Sequence, residues 1–190
     1  MKKPLIIVLL VLTALTPVFA LSWHFEADVA ACGVLNVPTA DYLKETLDKN
    51  LISAGFTADA NPVGLKFTNL SISGGVSLQY TTKTAAYHNV CLKAVFAYGP
   101  DIKITYNFPG SRFSAALKGR MLFCNYINSQ DKFLAFNAEA ILGYRLGDRD
   151  KGIITVLLPL SASIRKDILG ITAGIGVNIG ADIVFGRRAN

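Results

Sequence analysis

The chain is poor in charge, in histidine and in cysteine, and beyond its first twenty residues it has no long apolar run. Asp, Glu, Lys and Arg make up 17% of its 190 residues and hydrophobic residues 52%, where a charged share of about 25% is usual. That balance excludes a disordered chain and a protein that coats nucleic acid. With only His24 and His88, neither a metal cluster nor a histidine-centred triad can be assembled from spacing. Nothing in the sequence calls for a cofactor, and no set of residues meets the requirements of an active site. Cys32, Cys91 and Cys124 are an odd number. They allow at most one bridge in an oxidising compartment, and their spacing is not that of a zinc site. The missing apolar run excludes an ordinary helical membrane protein, since a spanning helix needs about 20 apolar residues.

What is present begins with an address. Lys2 and Lys3 precede an apolar stretch from Leu5 to Leu15, and Pro17 is followed by Val18-Phe19-Ala20. Basic start, apolar centre and compact residues before a cut after Ala20 make a secretory signal peptide over residues 1–20. The remainder, 21–190, fits one domain of 190 − 20 = 170 residues. Losing two lysines lowers the formal charge from +6 to +4, too small an excess to name a partner.

A period of two runs through most of that domain. From Leu169 to Phe185 every odd position is apolar, while the even positions are Gly, Thr, Asn or Asp until Val184. The same split recurs from Leu21 to Val29, Arg112 to Phe123, Leu134 to Arg145 and Ile154 to Arg165. In a strand such sets face opposite sides, so these segments are strands with one wholly apolar face. The Ile/Gly alternation also makes Gly170, Gly174, Gly176 and Gly180 part of a strand rather than of a packed membrane helix.

Three features place the apolar face outside. The runs are longer than the five or six residues of an average soluble strand and suit the 9 to 11 of a membrane strand. The mixed face is rich in Gly, Ala and Ser, which fits a crowded interior. Aromatics gather near strand ends. Trp23, Phe25, Tyr106, Phe108, Phe113, Tyr144 and Phe185 form one belt, and Tyr98, Phe123 and Phe136 belong to another. The expected fold is therefore all-β, a transmembrane antiparallel up-and-down barrel. Its strands are expected near 21–33, 63–82, 88–98, 102–108, 112–126, 133–146, 153–165 and 168–185. Within 63–82 the apolar phase shifts. A β-bulge near Asn69 would explain it with eight strands, whereas a turn at Ser73-Gly74-Gly75 would make nine and require a tenth.

The signal peptide, the size and this alternation resemble the small bacterial outer-membrane barrels of the OmpA, OmpX and OmpW kind, over residues 21–186. The resemblance implies an outer-membrane location, outer-membrane lipid and the barrel-assembly machinery as partners, and a terminal aromatic that the machinery recognises. Phe185 stands in that place, followed here by Gly186-Arg187-Arg188-Ala189-Asn190.

Two features are candidates for function. The strand phase turns Glu26, Asp28, Lys93, Lys103, Lys118, Arg120, Glu139, Arg145 and Asp182 into the barrel. There they form either a salt-bridged plug or a basic constriction for anions. Eight strands leave room for little but side chains, which favours the plug. The second is the connection from Val34 to Pro62. Thr39 can cap a helix that Gly55 stops, with Leu43, Leu47, Leu51 and Ile52 on its apolar face. Such a helix is a lid on the rim or a surface-binding loop. The expected function is structural or surface-binding, or a narrow porin-like channel for small hydrophobic solutes. The alternative is a soluble, lipocalin-like periplasmic barrel that holds a lipid.

Overall fold

A computed structural model describes residues 22–41, 51–84, 92–146, 154–165 and 167–184. Its eight strands are β1 (Ser22–Pro38), β2 (Leu51–Phe67), β3 (Leu70–Thr81), β4 (Val95–Asn107), β5 (Phe113–Tyr126), β6 (Lys132–Arg145), β7 (Ile154–Arg165) and β8 (Ile168–Val184). Each pairs antiparallel with the next, and the sheet closes on itself. The closing seam joins β1 to β8 from Ser22 opposite Val184 to Pro38 opposite Ile168, so these strands have no open edge to aggregate. Both termini of the barrel thus lie at one end, here the terminal end. Strands β1, β3, β5 and β7 end, and β2, β4, β6 and β8 begin, at the other, the far end.

The two faces are inverted relative to a soluble barrel. Val29, Ile102, Leu117, Leu160 and Ile175 point outward and are more than half exposed, while Asp28, Asp59, Lys103, Lys118 and Arg120 point inward and are buried. Left in water, the outer surface would cost about 25 cal/mol for each Å² of apolar area. In hydrocarbon it costs nothing, and the strands satisfy one another's backbone groups. Aromatic side chains mark both ends of this outer surface. Trp23, Phe25, Tyr106, Phe108, Phe113 and Tyr144 lie toward the terminal end on strands β1 and β4–β6 or the turn after β4, with Phe113 and Tyr144 in contact at 5.2 Å between ring centres. Toward the far end Tyr98 packs against Phe96 and Phe123. Phe185 lies outside the described residues.

The strand boundaries differ from the sequence reading in two places, and the differences cancel in the count. Residues 63–82 are not one bulged strand but the end of β2, a turn at Thr68-Asn69, and β3. Residues opposite each other in a hairpin share a face, so Phe67 and Leu70 face the same way across that turn. This is why the apolar phase changes from odd to even. Ser73-Gly74-Gly75 is strand, not turn. The bulge exists earlier, between Ala60 and Val63. There the bulged chain crowds Gly75 so closely that a Cβ would sit 2.0 Å from the Ala60 carbonyl oxygen. Conversely, 88–98 and 102–108 are not two strands, because β4 runs unbroken through Gly99-Pro100. Pro100 is tolerated because β4 stays paired with β3 there, opposite Val76, while the pairing with β5 skips from Tyr98 to Asp101.

The helix expected in the first long connection needs correction at its C-terminal end. Leu51 and Ile52 are the first residues of β2, with Leu51 buried and Ile52 70% exposed, so they do not share a helical face. Gly55 is likewise inside the strand. Leu43 and Leu47 lie outside the described residues. At the terminal end, the turn between β4 and β5 takes Gly110 to a φ of 76°, a backbone state that favours glycine.

Candidate functional site

Alternation sends every second side chain of eight strands into one narrow lumen, so charged residues from different strands must meet there. They meet as an alternating chain. Lys103 Nζ donates to Glu26 at 2.8 Å and to Asp28 at 2.9 Å. Lys118 Nζ donates to Asp28 at 2.5 Å and to Asp59 at 2.7 Å. Arg120 donates to Asp59 at 2.8 Å and to Glu139 at 2.5 Å. The order is thus Glu26, Lys103, Asp28, Lys118, Asp59, Arg120, Glu139, with each cation between two carboxylates. All seven are buried. Neutral donors complete the ring. Asn178 of β8 donates to Glu26 at 3.0 Å and to Asp28 at 2.6 Å. Ser73 and Ser77 of β3 donate to Glu26 and Asp59 respectively. Asn137 accepts from Arg120 and donates to Ser161 of β7 at 3.3 Å. Asp101 is buried beside the chain, with the Asn61 side-chain amide 2.8 Å from its carboxylate. Every strand supplies at least one member. The seven ions of the chain are thus paired, as buried charges must be, with the Arg120 Nε left without a hydrogen-bond partner.

Above the ions, toward the far end, the β4–β6 side of the lumen turns apolar, while Gln79, Thr81, Ser163 and Arg165 line the other side. Val95, Ala97, Leu122, Cys124 and Ala135 pack together, with Tyr126 and Phe133 against them. The void beside this layer is about 10 Å³, roughly the space of one water. Asn36 ties the rim together, donating to Ser53 at 3.0 Å and to the Leu51 carbonyl at 3.1 Å, and it accepts from Arg165. Cys32 and Cys124 are both free and buried.

Below the ions, toward the terminal end, the lumen widens into a cavity of about 130 Å³. His24 Nδ1 lies 2.6 Å from Asp182, which Lys66 also binds, so β1, β2 and β8 are clasped together at the mouth. Arg145 donates to Asn107 at 2.8 Å on the opposite side.

Of the charges assigned to the interior, Glu26, Asp28, Lys103, Lys118, Arg120 and Glu139 lie in one network. Asp182 lies at the mouth and reaches the network through His24, whose Nε2 is 3.6 Å from Glu26, and Arg145 lies at the mouth near the end of β6. Lys93 requires correction. It precedes β4 and is exposed, so it is not in the lumen. Asp59 and Asp101 were missed. Both sit in segments misassigned by the sequence reading, although the alternation that would have found them is present. Ser53, Thr57, Asp59 and Asn61 alternate with Ile52, Phe56, Ala58 and Ala60. Among the described residues there is no group of histidine, cysteine and carboxylate side chains suited to hold a metal.

No family model matches the chain, and no curated protein matches it in sequence. Solved structures do match. Neisserial surface protein A superposes with a TM-score of 0.53 at 11% identity, covering 82% of this chain and 96% of that one. The attachment invasion locus protein Ail of Yersinia pestis, solved in complex with the heparin analogue sucrose octasulfate, gives 0.47 at 10% identity, covering 84% and 99%. The N-terminal β-barrel domain of Pseudomonas aeruginosa OprF gives 0.43 at 13% identity, covering 81% and 97%. Eight strands, an apolar exterior, an ionic lumen and the superposition on neisserial surface protein A together give this chain the fold of a small bacterial outer-membrane β-barrel.

Proposed function

We propose that the protein is an exported, integral outer-membrane barrel that does not conduct, and that serves the envelope as structure and through what its far end presents outside the cell. Residues 1–20 direct export and are removed after Ala20, two residues before β1 begins. The terminal end then faces the periplasm, and the connections 39–50 and 82–94 face outward. Barrel loops of this kind carry recognition. Outer-membrane lipid covers the apolar exterior, and the assembly machinery inserts the chain.

The observation that carries this reading is the filled lumen. An alternating ion chain occupies its middle, and above it an apolar cluster and the polar side chains opposite leave a void of only about 10 Å³. Eight strands leave room for little else. A plug therefore accounts for the inward charges better than an anion constriction or a channel for hydrophobic solutes. The outward apolar surface likewise speaks against a soluble lipid-binding barrel, whose apolar face would have to turn inward.

The test has two parts. Protein purified in detergent should migrate faster unboiled than boiled, as folded membrane barrels commonly do. In planar bilayers it should add no current to that of lipid alone. Steady conductance would sink the closed-barrel reading, and protein that stays soluble without detergent would restore the soluble one. Replacing residues 39–50 and 82–94 by short turns should abolish attachment to host or matrix surfaces while the heat-dependent mobility is retained.

A further inference from the structure

Among the described residues, one place in the ladder lacks pairing on both sides of the same strand. Between β1 and β2 the pairing is continuous from Asn36 opposite Leu51 to Glu26 opposite Asn61. It then breaks, with only Trp23 opposite Leu65 and Ser22 opposite Lys66 beyond. Between β2 and β3 it breaks at the same level, between Ala60 and Val63. Pro62, which has no N–H to donate, sits in both breaks. On β3 the break falls at Gly75, next to Gly74, and glycine leaves a backbone free to bend. A line of weak points thus crosses both strands. Toward the terminal end from it lies a hairpin, residues 63–73, with its turn at Thr68-Asn69. The hairpin stays in register with β4, but only two residue pairs of the ladder join it to β1. An ionic group adds to them. Lys66 of the hairpin binds Asp182 of β8, on the far side of β1, and Asp182 is also 2.6 Å from His24 of β1. The closed seam is tight as well. A Cβ at Gly64 would come within 2.6 Å of the His24 carbonyl oxygen.

From this geometry we propose that residues 63–73 form a hinged flap, and that Lys66, Asp182 and His24 are the strap that holds it shut. The hinge runs through Asn61-Pro62 of β2 and Gly74-Gly75 of β3, where a few residues can absorb the bend. Opening parts β2 from β1 at the terminal end and leaves β3 on β4. It uncovers the mouth cavity, which His24, Glu26 and Lys66 line. The ion chain lies at and above the hinge, where Glu26 is opposite Asn61 and Asp28 opposite Asp59. The lumen therefore stays plugged whether the flap is open or shut, and the flap sets the width of the mouth alone.

The test is amide hydrogen exchange, read residue by residue, on the whole protein refolded into lipid nanodiscs. The β1-facing amides among residues 63–67 should exchange at least about tenfold faster than the β1-facing amides among residues 54–60. They should also outpace the β5-facing amides of residues 103–107, which lie at the same end of the barrel in an unbroken ladder. Lys66→Gln, which cuts the strap, should speed exchange in the flap a further several-fold and leave residues 54–60 unchanged. Trp23→Cys with Leu65→Cys places two thiols opposite each other across the seam. Their disulfide should slow the flap to the rate of residues 54–60, and reduction should release it. Equal exchange on the two sides of the hinge overturns the proposal, as does a flap that ignores Lys66→Gln. An effect of Lys66→Gln spread over the whole barrel overturns it too, since that marks a general loss of stability. So does fast exchange that survives the disulfide, which marks fraying of a chain end.

Discussion

Replacing Arg120 by methionine removes the cation that reaches Glu139, since among the described residues the Glu139 carboxylate pairs with Arg120. Asp59 suffers less. It keeps Lys118 at 2.7 Å and the Ser77 hydroxyl. The loss therefore falls mainly on Glu139, a carboxylate only 7% exposed. Breaking a buried pair by removing one partner costs about 3–5 kcal/mol. Adding Glu139→Gln in the same chain removes the stranded charge, so the double variant should recover at least ~2 kcal/mol relative to Arg120→Met. Glu139→Gln alone should be milder, about 1–3 kcal/mol, because Arg120 keeps Asp59 at 2.8 Å. The single tryptophan, Trp23, is 42% exposed at the lipid-facing end of β1, and its emission will change when the barrel leaves the bilayer. Urea titration of the barrel refolded into vesicles is then the assay. With a slope of about 2 kcal/mol/M, a 4 kcal/mol loss lowers the midpoint by about 2 M. An Arg120→Met midpoint unchanged from the parent, or a double variant no more stable than Arg120→Met, would refute the idea that the ion chain is what holds the lumen together.

Leu160→Arg places a charge on the outer face of β7, where Leu160 is 58% exposed. It should cost about 2–4 kcal/mol, against about 0–1 for Leu146→Arg at the end of β6, read by the same titration. Gly75→Ala should destabilise the barrel by roughly 1–3 kcal/mol, since its Cβ would meet the backbone of the β2 bulge, and Gly74→Ala, with its nearest neighbour at 3.5 Å, is the control. Cys32 and Cys124 are buried and free, so a polar maleimide should leave both unmodified in the folded barrel and label both in urea, as peptide mass analysis will show. Intact mass of the membrane-inserted protein should correspond to a chain that begins at Leu21. A retained Met1 would refute the cleavage.

The sidedness of the fold was legible because it is written in a period of two. Ile171, Ala173, Ile175 and Val177 against Thr172, Gly174, Gly176 and Asn178 can be read without knowing any partner strand. The same reading failed where a second pattern overlay the first. Leu43, Leu47 and Leu51 have helical spacing, and following it past Asn50 hid the alternation of β2 and with it Asp59. Prolines caused the other losses. Pro100 inside β4 and Pro62 at the β2 bulge each look like the end of a strand. Pro100 is accommodated because a strand has two neighbours, and pairing with β3 survives the gap toward β5, whereas Pro62 sits where the β2 pairing to β1 and to β3 is interrupted together. That is a property of the closed sheet rather than of the segment, so local reading cannot see it. Which inward charges form one chain was illegible for the same reason, since Lys103 and Asp28 are 75 residues apart and meet only through the barrel's register.

The alternation of charge inside the lumen also bears on why function should lie at the barrel's rims. Each of Lys103, Lys118 and Arg120 is shared by two carboxylates, so swinging any one aside to open a path strands charge on both sides of it. At about 3–5 kcal/mol for a broken buried pair and a factor of ten for every 1.4 kcal/mol, such an opening would be populated in roughly one molecule in a hundred to a few thousand. The apolar layer above would have to part as well. Sealing and stability are thus properties of one network, and a change that opened the barrel would also destabilise it. The outer connections carry no such burden. They can take up a ligand or change sequence while the ion chain stays intact.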